Sequence, residues 1–74
     1  MSDRIRRMTS REVETILRQY GFQLISQKGS HRKYRSEDLV LQVIVPEHRG
    51  RTLPIGTLRS IFLGAKIPES EWKC

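Results

Sequence analysis

The sequence predicts an α+β fold in which two helices cover a three-stranded antiparallel sheet. Apolar residues recur at helical spacing near both ends of the chain, and the middle alternates between apolar and polar residues. Glycine, serine and acidic residues interrupt this middle part at two points, which is typical of hairpin turns. Two amphipathic helices on one face of such a sheet give a two-layer sandwich with the order α-β-β-β-α.

Chain length and composition restrict the class of protein. Seventy-four residues make a single domain, and we expect residues 1–8 to be a basic, flexible leader to a domain of residues 9–74. The one cysteine, Cys74, cannot form a disulfide within the chain, and no apolar run is long enough for a membrane span or signal peptide. We therefore expect a cytoplasmic protein.

The first helix is predicted to begin after Thr9. Thr9 and Glu12 have the spacing of a capping box, and Gly21 is expected to end the helix. The predicted apolar face consists of Val13, Ile16, Leu17 and Tyr20. Four polar residues are expected to lie off that face: Arg11, Glu14, Arg18 and Gln19.

Three strands follow. The first is predicted over residues 22–28, with Phe22 and Leu24 on one side, and the turn Gly29-Ser30 connects it to a second over 31–35. After a turn at residues 36–38, the third strand is predicted over 39–45, where Pro46 ends it. Its alternating apolar residues are expected to face one way: Leu39, Leu41, Val43 and Val45.

The second helix is predicted to begin near Pro54 or Ile55. Its buried stripe is predicted to consist of Leu58, Ile61, Phe62 and Ala65. Pro68 follows the helix and is compatible with one further turn, in which Trp72 covers the core.

The charge of the chain favours a polyanionic partner. It contains 14 lysines and arginines against 8 acidic residues, so the net charge is +6. Nucleic acid is the default partner for a domain of this kind. A solvated basic face or an acidic protein partner are the alternatives.

The segment from Lys28 to Arg35 contains one imidazole, His31, among several cations. Histidine is the side chain best suited to proton transfer near neutral pH. RNA carries its own nucleophile, the 2′-hydroxyl, so its cleavage needs only a base, an acid and positive charge. His31 is therefore the candidate catalytic residue, and an ordinary polar surface histidine is the alternative.

Other residues near this segment are candidates for binding RNA or its phosphates. They comprise the hairpin residues Lys28, Gly29, Ser30, Arg32, Lys33 and Arg35, the loop residue His48, and Thr57 and Arg59 of the second helix. With a two-residue turn, one face of the hairpin carries Lys28, His31, Lys33 and Arg35, and Arg32 lies with Tyr34 on the other. A bulge or a longer turn would change these assignments. His48 is a second acid or base, a phosphate ligand, or a loop residue without a role.

The sequence offers no metal or cofactor site. His31, His48 and Cys74 lack the spacing of metal ligands, and no glycine-rich nucleotide-binding loop is present. We therefore expect acid–base chemistry that needs neither a metal nor a cofactor.

Several motifs within residues 9–67 together resemble one family, the HicA toxins of bacterial and archaeal toxin–antitoxin pairs. The matching pieces are Tyr20-Gly21-Phe22, Gly29-Ser30-His31 followed by Tyr34, Val45-Pro46-Glu47-His48, and Gly56-Thr57-Leu58-Arg59-Ser60-Ile61. The sequence departs from the family at Ile55, where the family often has lysine.

This resemblance implies a fold like that of double-stranded RNA-binding domains and an endoribonuclease that cleaves mRNA and slows translation. It implies that His31, by its match to the Gly-Ser-His element, is catalytic. It also implies an antitoxin of the HicB type as partner; we expect the toxin to be monomeric alone and a hetero-oligomer with that antitoxin. A non-catalytic RNA-binding module remains the alternative.

Overall fold

The computed structural model describes residues 4–74 and confirms the predicted α+β sandwich. Its elements are helix α1 (Ser10–Gln19), strands β1 (Phe22–Lys28), β2 (His31–Ser36) and β3 (Gln42–Pro46), helix α2 (Ile55–Gly64) and a 3₁₀ helix (Glu69–Glu71). The strands are antiparallel in the order β1-β2-β3, and residues of both helices share one core with the sheet. Within residues 4–74, no helix is long and apolar enough to cross a membrane.

Helix α1 begins with the predicted capping box. The amide of Glu12 donates to Thr9 Oγ1 at 3.2 Å, and the Thr9 amide donates to Glu12 Oε1 at 2.8 Å. Val13, Ile16 and Leu17 are buried as predicted. Two expectations were wrong. Tyr20, predicted on the apolar face, is 41% exposed. Glu14, predicted off that face, is 2% exposed, because polar side chains of β2 donate hydrogen bonds to its carboxylate.

A β-bulge in β1 decides which side chains share a face. Leu24 pairs with Tyr34, but the next paired residue is Ser26, which lies opposite Lys33. This extra residue puts Leu24 on the helix-covered face and Lys28 on the opposite one. β1 is an edge strand, which leaves Leu24 42% exposed.

The start of the third strand was predicted wrongly. Leu39 has a φ of 64° and is 70% exposed, so it belongs to the loop before β3. Asp38 Oδ1 accepts a hydrogen bond from the Val40 amide at 3.1 Å, and the Leu41 amide donates to Ser36 Oγ at 3.0 Å. These side-chain bonds satisfy the backbone in place of strand pairing. Val43 and Val45 are buried as predicted, and Leu41 packs partly against the core.

The two ends of the described chain pack together over the core. The predicted stripe of α2 is buried, and Trp72 stacks on Phe62 with ring centroids 5.5 Å apart. Ile5 and Met8 are buried, and the Arg6 amide donates to the Trp72 carbonyl at 2.9 Å. The expectation of a flexible leader is thereby corrected for residues 4–8, since they bury apolar side chains; residues 1–3 of that leader lie outside the described residues.

Candidate functional site

His31 lies at the tip of the β1–β2 hairpin, where it is the first residue of β2. Lys28 pairs with His31 across a two-residue turn whose first residue, Gly29, has a φ of +60°. That backbone conformation favours glycine. On the other side, the Glu47 amide donates to the Ser30 carbonyl at 2.7 Å, which attaches the tip to the end of β3. The imidazole is therefore exposed on a fixed turn.

The face of the sheet opposite the helices, which we call the outer sheet face, carries several of the predicted residues. Side chains alternate along β2, and Tyr34 points into the core, so His31, Lys33 and Arg35 project from the outer sheet face. Lys28, as the cross-strand partner of His31, lies beside it. A hollow of about 420 Å³ on this face is lined by Ser26, Lys28, His31, Lys33 and Ile44.

The outer sheet face combines positive charge with a small apolar surface. Lys28 and Lys33 form no ion pair with any other residue of the described chain. Arg35 donates from Nε and Nη2 to Gln42 Oε1, at 3.2 and 3.0 Å, which fixes its guanidinium near the far end of the face. Ile44 is 43% exposed in the hollow. The arrangement can hold a phosphate beside an imidazole and an apolar group against a base or ribose.

Arg32 points to the other face of the sheet, toward α1. Its Nη1 donates to both carboxylate oxygens of Glu14, at 3.0 and 3.1 Å, and its Nη2 lies 3.9 Å from Glu47 Oε1. The hydrogen bond and the charge of Glu14 raise the pKa of Arg32. Its Nε is buried without a hydrogen-bond partner among residues 4–74. Arg32 is therefore held by acidic residues away from His31.

His48 lies in the cleft that Arg32 faces. This cleft has a volume of about 710 Å³ and is lined by the first turn of α1, Arg32, Glu47 and the loop of residues 48–50. Thr57 lies in the first turn of α2, and Arg59 lines a third cleft. The structure thus brings Lys28, His31, Lys33 and Arg35 together and separates Arg32, His48, Thr57 and Arg59 from them.

Two residues of the hollow were absent from the sequence-based prediction. Ile44 alternates with the buried Val43 and Val45, so its position on the outer sheet face was readable from the sequence. Ser26 reaches this face through the bulge, for which the sequence has no clear signal. No group of three or more metal-ligating side chains occurs in the part of the chain that the structure describes.

Comparison with known proteins identifies a family whose model matches the chain. Residues 10–67, well over half of the chain, match the model of the family described as HicA toxin of bacterial toxin–antitoxin. No curated protein matches the chain significantly. The matched range runs from the first residue of α1 to the residue before Pro68.

Proposed function

The chain belongs to the family of HicA toxins from bacterial toxin–antitoxin systems, and we propose that it is an endoribonuclease that cleaves mRNA, with His31 as the catalytic residue. As a toxin of this family it has an antitoxin as partner. We propose that this antitoxin is of the HicB type and that the toxin acts on mRNA in the cytoplasm, where its action inhibits translation and growth.

The observation that carries this proposal is the exposed imidazole of His31 among cations that share its face of the sheet. Lys28 lies directly across the hairpin from it, and Lys33 lies two residues along the same strand. Neither lysine is engaged by an acidic side chain among residues 4–74. Both ammonium groups are therefore free to bind phosphate oxygens on either side of the reacting phosphate.

The chemistry that this arrangement supports is attack by the substrate's own hydroxyl. The ribose 2′-oxygen forms a bond to the adjacent phosphorus while the bond from phosphorus to the 5′-oxygen breaks. The 2′-hydroxyl loses a proton and the 5′-oxygen gains one, which leaves a 2′,3′-cyclic phosphate and a 5′-hydroxyl. His31 accepts the first proton or supplies the second, and the lysines offset the negative charge of the transition state.

The remaining residues of the hairpin have supporting roles in this proposal. Gly29 keeps the turn narrow enough for a phosphate to approach the backbone, and Ser30 supplies a hydroxyl and an amide at the tip. Arg35, which Gln42 holds in place, binds a phosphate further along the strand. Ile44 gives the base or ribose beside the scissile bond an apolar surface.

Cleavage of end-labelled RNA by the purified chain and by its His31→Ala variant tests the proposal. We expect new RNA ends that carry a 2′,3′-cyclic phosphate with the native chain, and a rate lower by about 10²–10⁴-fold with the variant. The variant's circular dichroism spectrum should match that of the native chain, because His31 is exposed. Full cleavage by a folded His31→Ala variant would remove His31 from the mechanism, and RNA binding without new ends would indicate a non-catalytic module.

A further inference from the structure

A third cleft contains an unusual concentration of arginines, and we call it the arginine cleft. Four of its lining residues are arginines, and the others are two isoleucines and the C-terminal residue: Arg4, Arg6, Arg7, Arg59, Ile5, Ile55 and Cys74. Its volume is about 540 Å³. No residue of β1, β2 or β3 lines it, so it is separate from the hollow that contains His31.

The arginine cleft exists because residues 4–8 are fixed beside α2. Ile5 pairs with Lys73 in a short antiparallel bridge, and the Leu53 amide donates to the Met8 carbonyl at 2.8 Å. Ile5 and Met8 are 4% and 2% exposed. Arg4, Arg6 and Arg7 thus project from a backbone that is already ordered, and binding through them costs less conformational entropy than binding through a free tail.

The side chains of the cleft fit an anion with several charged groups. Like charges that a fold brings together repel one another, and an anionic ligand relieves that repulsion. Arginine guanidinium groups match phosphate oxygens with two parallel hydrogen bonds. Arg59 has no ion-pair or hydrogen-bond partner among the described residues. Arg6 uses only Nη2, which donates to the Glu71 carbonyl at 2.6 Å and to Met8 Sδ at 3.9 Å. Donors therefore remain for phosphates.

The apolar residues of the cleft argue for a nucleic acid over a protein as its ligand. Aromatic residues, methionine and arginine are the usual anchors of protein interfaces, and they act within a well-packed, largely apolar centre. In this cleft Ile5 is buried and Ile55 is half-buried, so neither offers such a centre. The large exposed apolar side chains lie elsewhere on the described chain: Tyr20, Leu24, Ile25, Leu39, Val40, Ile44 and Leu63.

We infer that the arginine cleft binds the sugar–phosphate backbone of RNA, at phosphates remote from the one that is cleaved. This inference rests on the proposed RNA substrate and extends its contact from the sheet to the N-terminal segment and α2. Because the longest principal extent of the described chain is 35 Å, one RNA of moderate length can reach both surfaces. The cleft then contributes affinity for long RNA without taking part in the chemistry.

The test measures RNA binding with cleavage removed. In a His31→Ala background, the dissociation constant of a fluorescent single-stranded RNA is determined over a series of salt concentrations, with and without Arg59→Gln. We expect Arg59→Gln to weaken binding at low salt and to make the slope of log K against log salt shallower by about 0.7, the value for one lost phosphate contact. Arg7→Gln should do the same.

The matched control is Arg51→Gln. It removes the same charge from an exposed arginine that lines neither the hollow nor the arginine cleft. We expect it to leave the slope unchanged; equal effects of Arg51→Gln and Arg59→Gln would overturn the inference, because net charge alone would then explain binding. Loss of antitoxin binding by Arg59→Gln with RNA affinity intact would also overturn it.

The experiments distinguish a failure of the inference about the arginine cleft from a failure of the proposed endoribonuclease activity. A native chain that binds RNA with the expected dependence on Arg59 but produces no new ends contradicts endoribonuclease activity and supports the cleft. A chain that cleaves through His31 but whose RNA affinity is insensitive to Arg7→Gln and Arg59→Gln supports the proposed function and overturns the inference about the cleft.

Discussion

The hydroxyl of Tyr34 in β2 donates a hydrogen bond to the buried carboxylate of Glu14 in α1. Arg18 donates to the same hydroxyl at 3.0 Å, and Arg32 binds the same carboxylate. The four side chains form a polar network between the first helix and the central strand, in which Glu14 and Tyr34 are buried. Glu14 is the buried charge in this network, and the more exposed Arg18 and Arg32 give it partners of opposite charge, which offsets the cost of its burial.

Removal of the Tyr34 hydroxyl should destabilise the protein. Tyr34→Phe keeps the ring in the core but takes a hydrogen bond from a buried carboxylate, and we expect a loss of about 1.5–3 kcal/mol of unfolding free energy in urea. Tyr20→Phe is the matched control. The Tyr20 hydroxyl also donates to a carboxylate, Glu71, at 2.5 Å, but Tyr20 is 41% exposed, so removal of its hydroxyl should reduce stability much less. Equal losses from both variants would show that the burial of Glu14 has no energetic consequence.

The same network predicts a loss of stability at alkaline pH. Burial, and then the hydrogen bond to Glu14, raise the pKa of Tyr34 from 10.0 to about 12. A raised pKa means that the folded state favours the protonated phenol, so the contribution is complete below pH 10 and is lost as the pH rises from about 10 toward 12. Unfolding free energies measured over this range should fall more steeply for the native chain than for Tyr34→Phe. If the unfolding free energies of the two proteins fell in parallel with pH, ionisation of Tyr34 would not be the cause of the alkaline loss of stability.

Substitutions at two glycines with similar backbone angles can test whether the active site lies at the hairpin tip or at the loop of His48. Gly29 and Gly50 have φ values of +60° and +71°, and a Cβ at either would meet nothing within 4 Å. Gly29→Ala and Gly50→Ala should therefore each cost about 1–2 kcal/mol through backbone strain alone. If His31 is catalytic, only Gly29→Ala should also reduce RNA cleavage at a temperature where both variants are folded. A larger loss of cleavage from Gly50→Ala would indicate that the active site lies in the cleft that contains His48.

Burial of the N-terminal segment predicts that Ile5 contributes to stability. Ile5→Ala deletes three carbons from a side chain that is 4% exposed, and we expect a loss of about 2–4 kcal/mol in thermal or urea unfolding. Leu39→Ala deletes as many carbons from a side chain that is 70% exposed, and it should change stability by less than about 0.5 kcal/mol. If Ile5→Ala were as stable as the native chain, the result would favour the flexible leader predicted from the sequence.

His48 should be dispensable for cleavage in the arrangement described. It lines the cleft with Arg32 and Glu47, whereas His31 lies on the outer sheet face. His48→Ala should therefore cleave RNA within a few-fold of the native rate under single-turnover conditions. A loss of about 10² or more, the size expected for a general acid or base, would identify His48 as the second proton-transfer residue.

The sequence was sufficient for the features that depend on neighbours along the chain. Thr9 and Glu12 lie three residues apart, so the capping box is a local property of that turn. Gly29 at a two-residue interruption selects the hairpin, and the spacing of Leu58, Ile61 and Phe62 defines the buried side of α2. The family motifs were equally readable, because they are short runs of residues.

Tertiary structure alone decided how the predicted functional residues lie relative to the core and to the other elements. The two-residue turn pairs Lys28 with His31, but only the bulge in β1 puts that pair on the face opposite Leu24. The pleat turns Arg32 toward Glu14, whose burial depends on partners from another element. Ile5 is buried only because the chain's other end returns to pair with it. Local sequence fixes backbone preference over a few residues, whereas the face on which a side chain lies depends on the register of strands and on contacts that are distant in the chain.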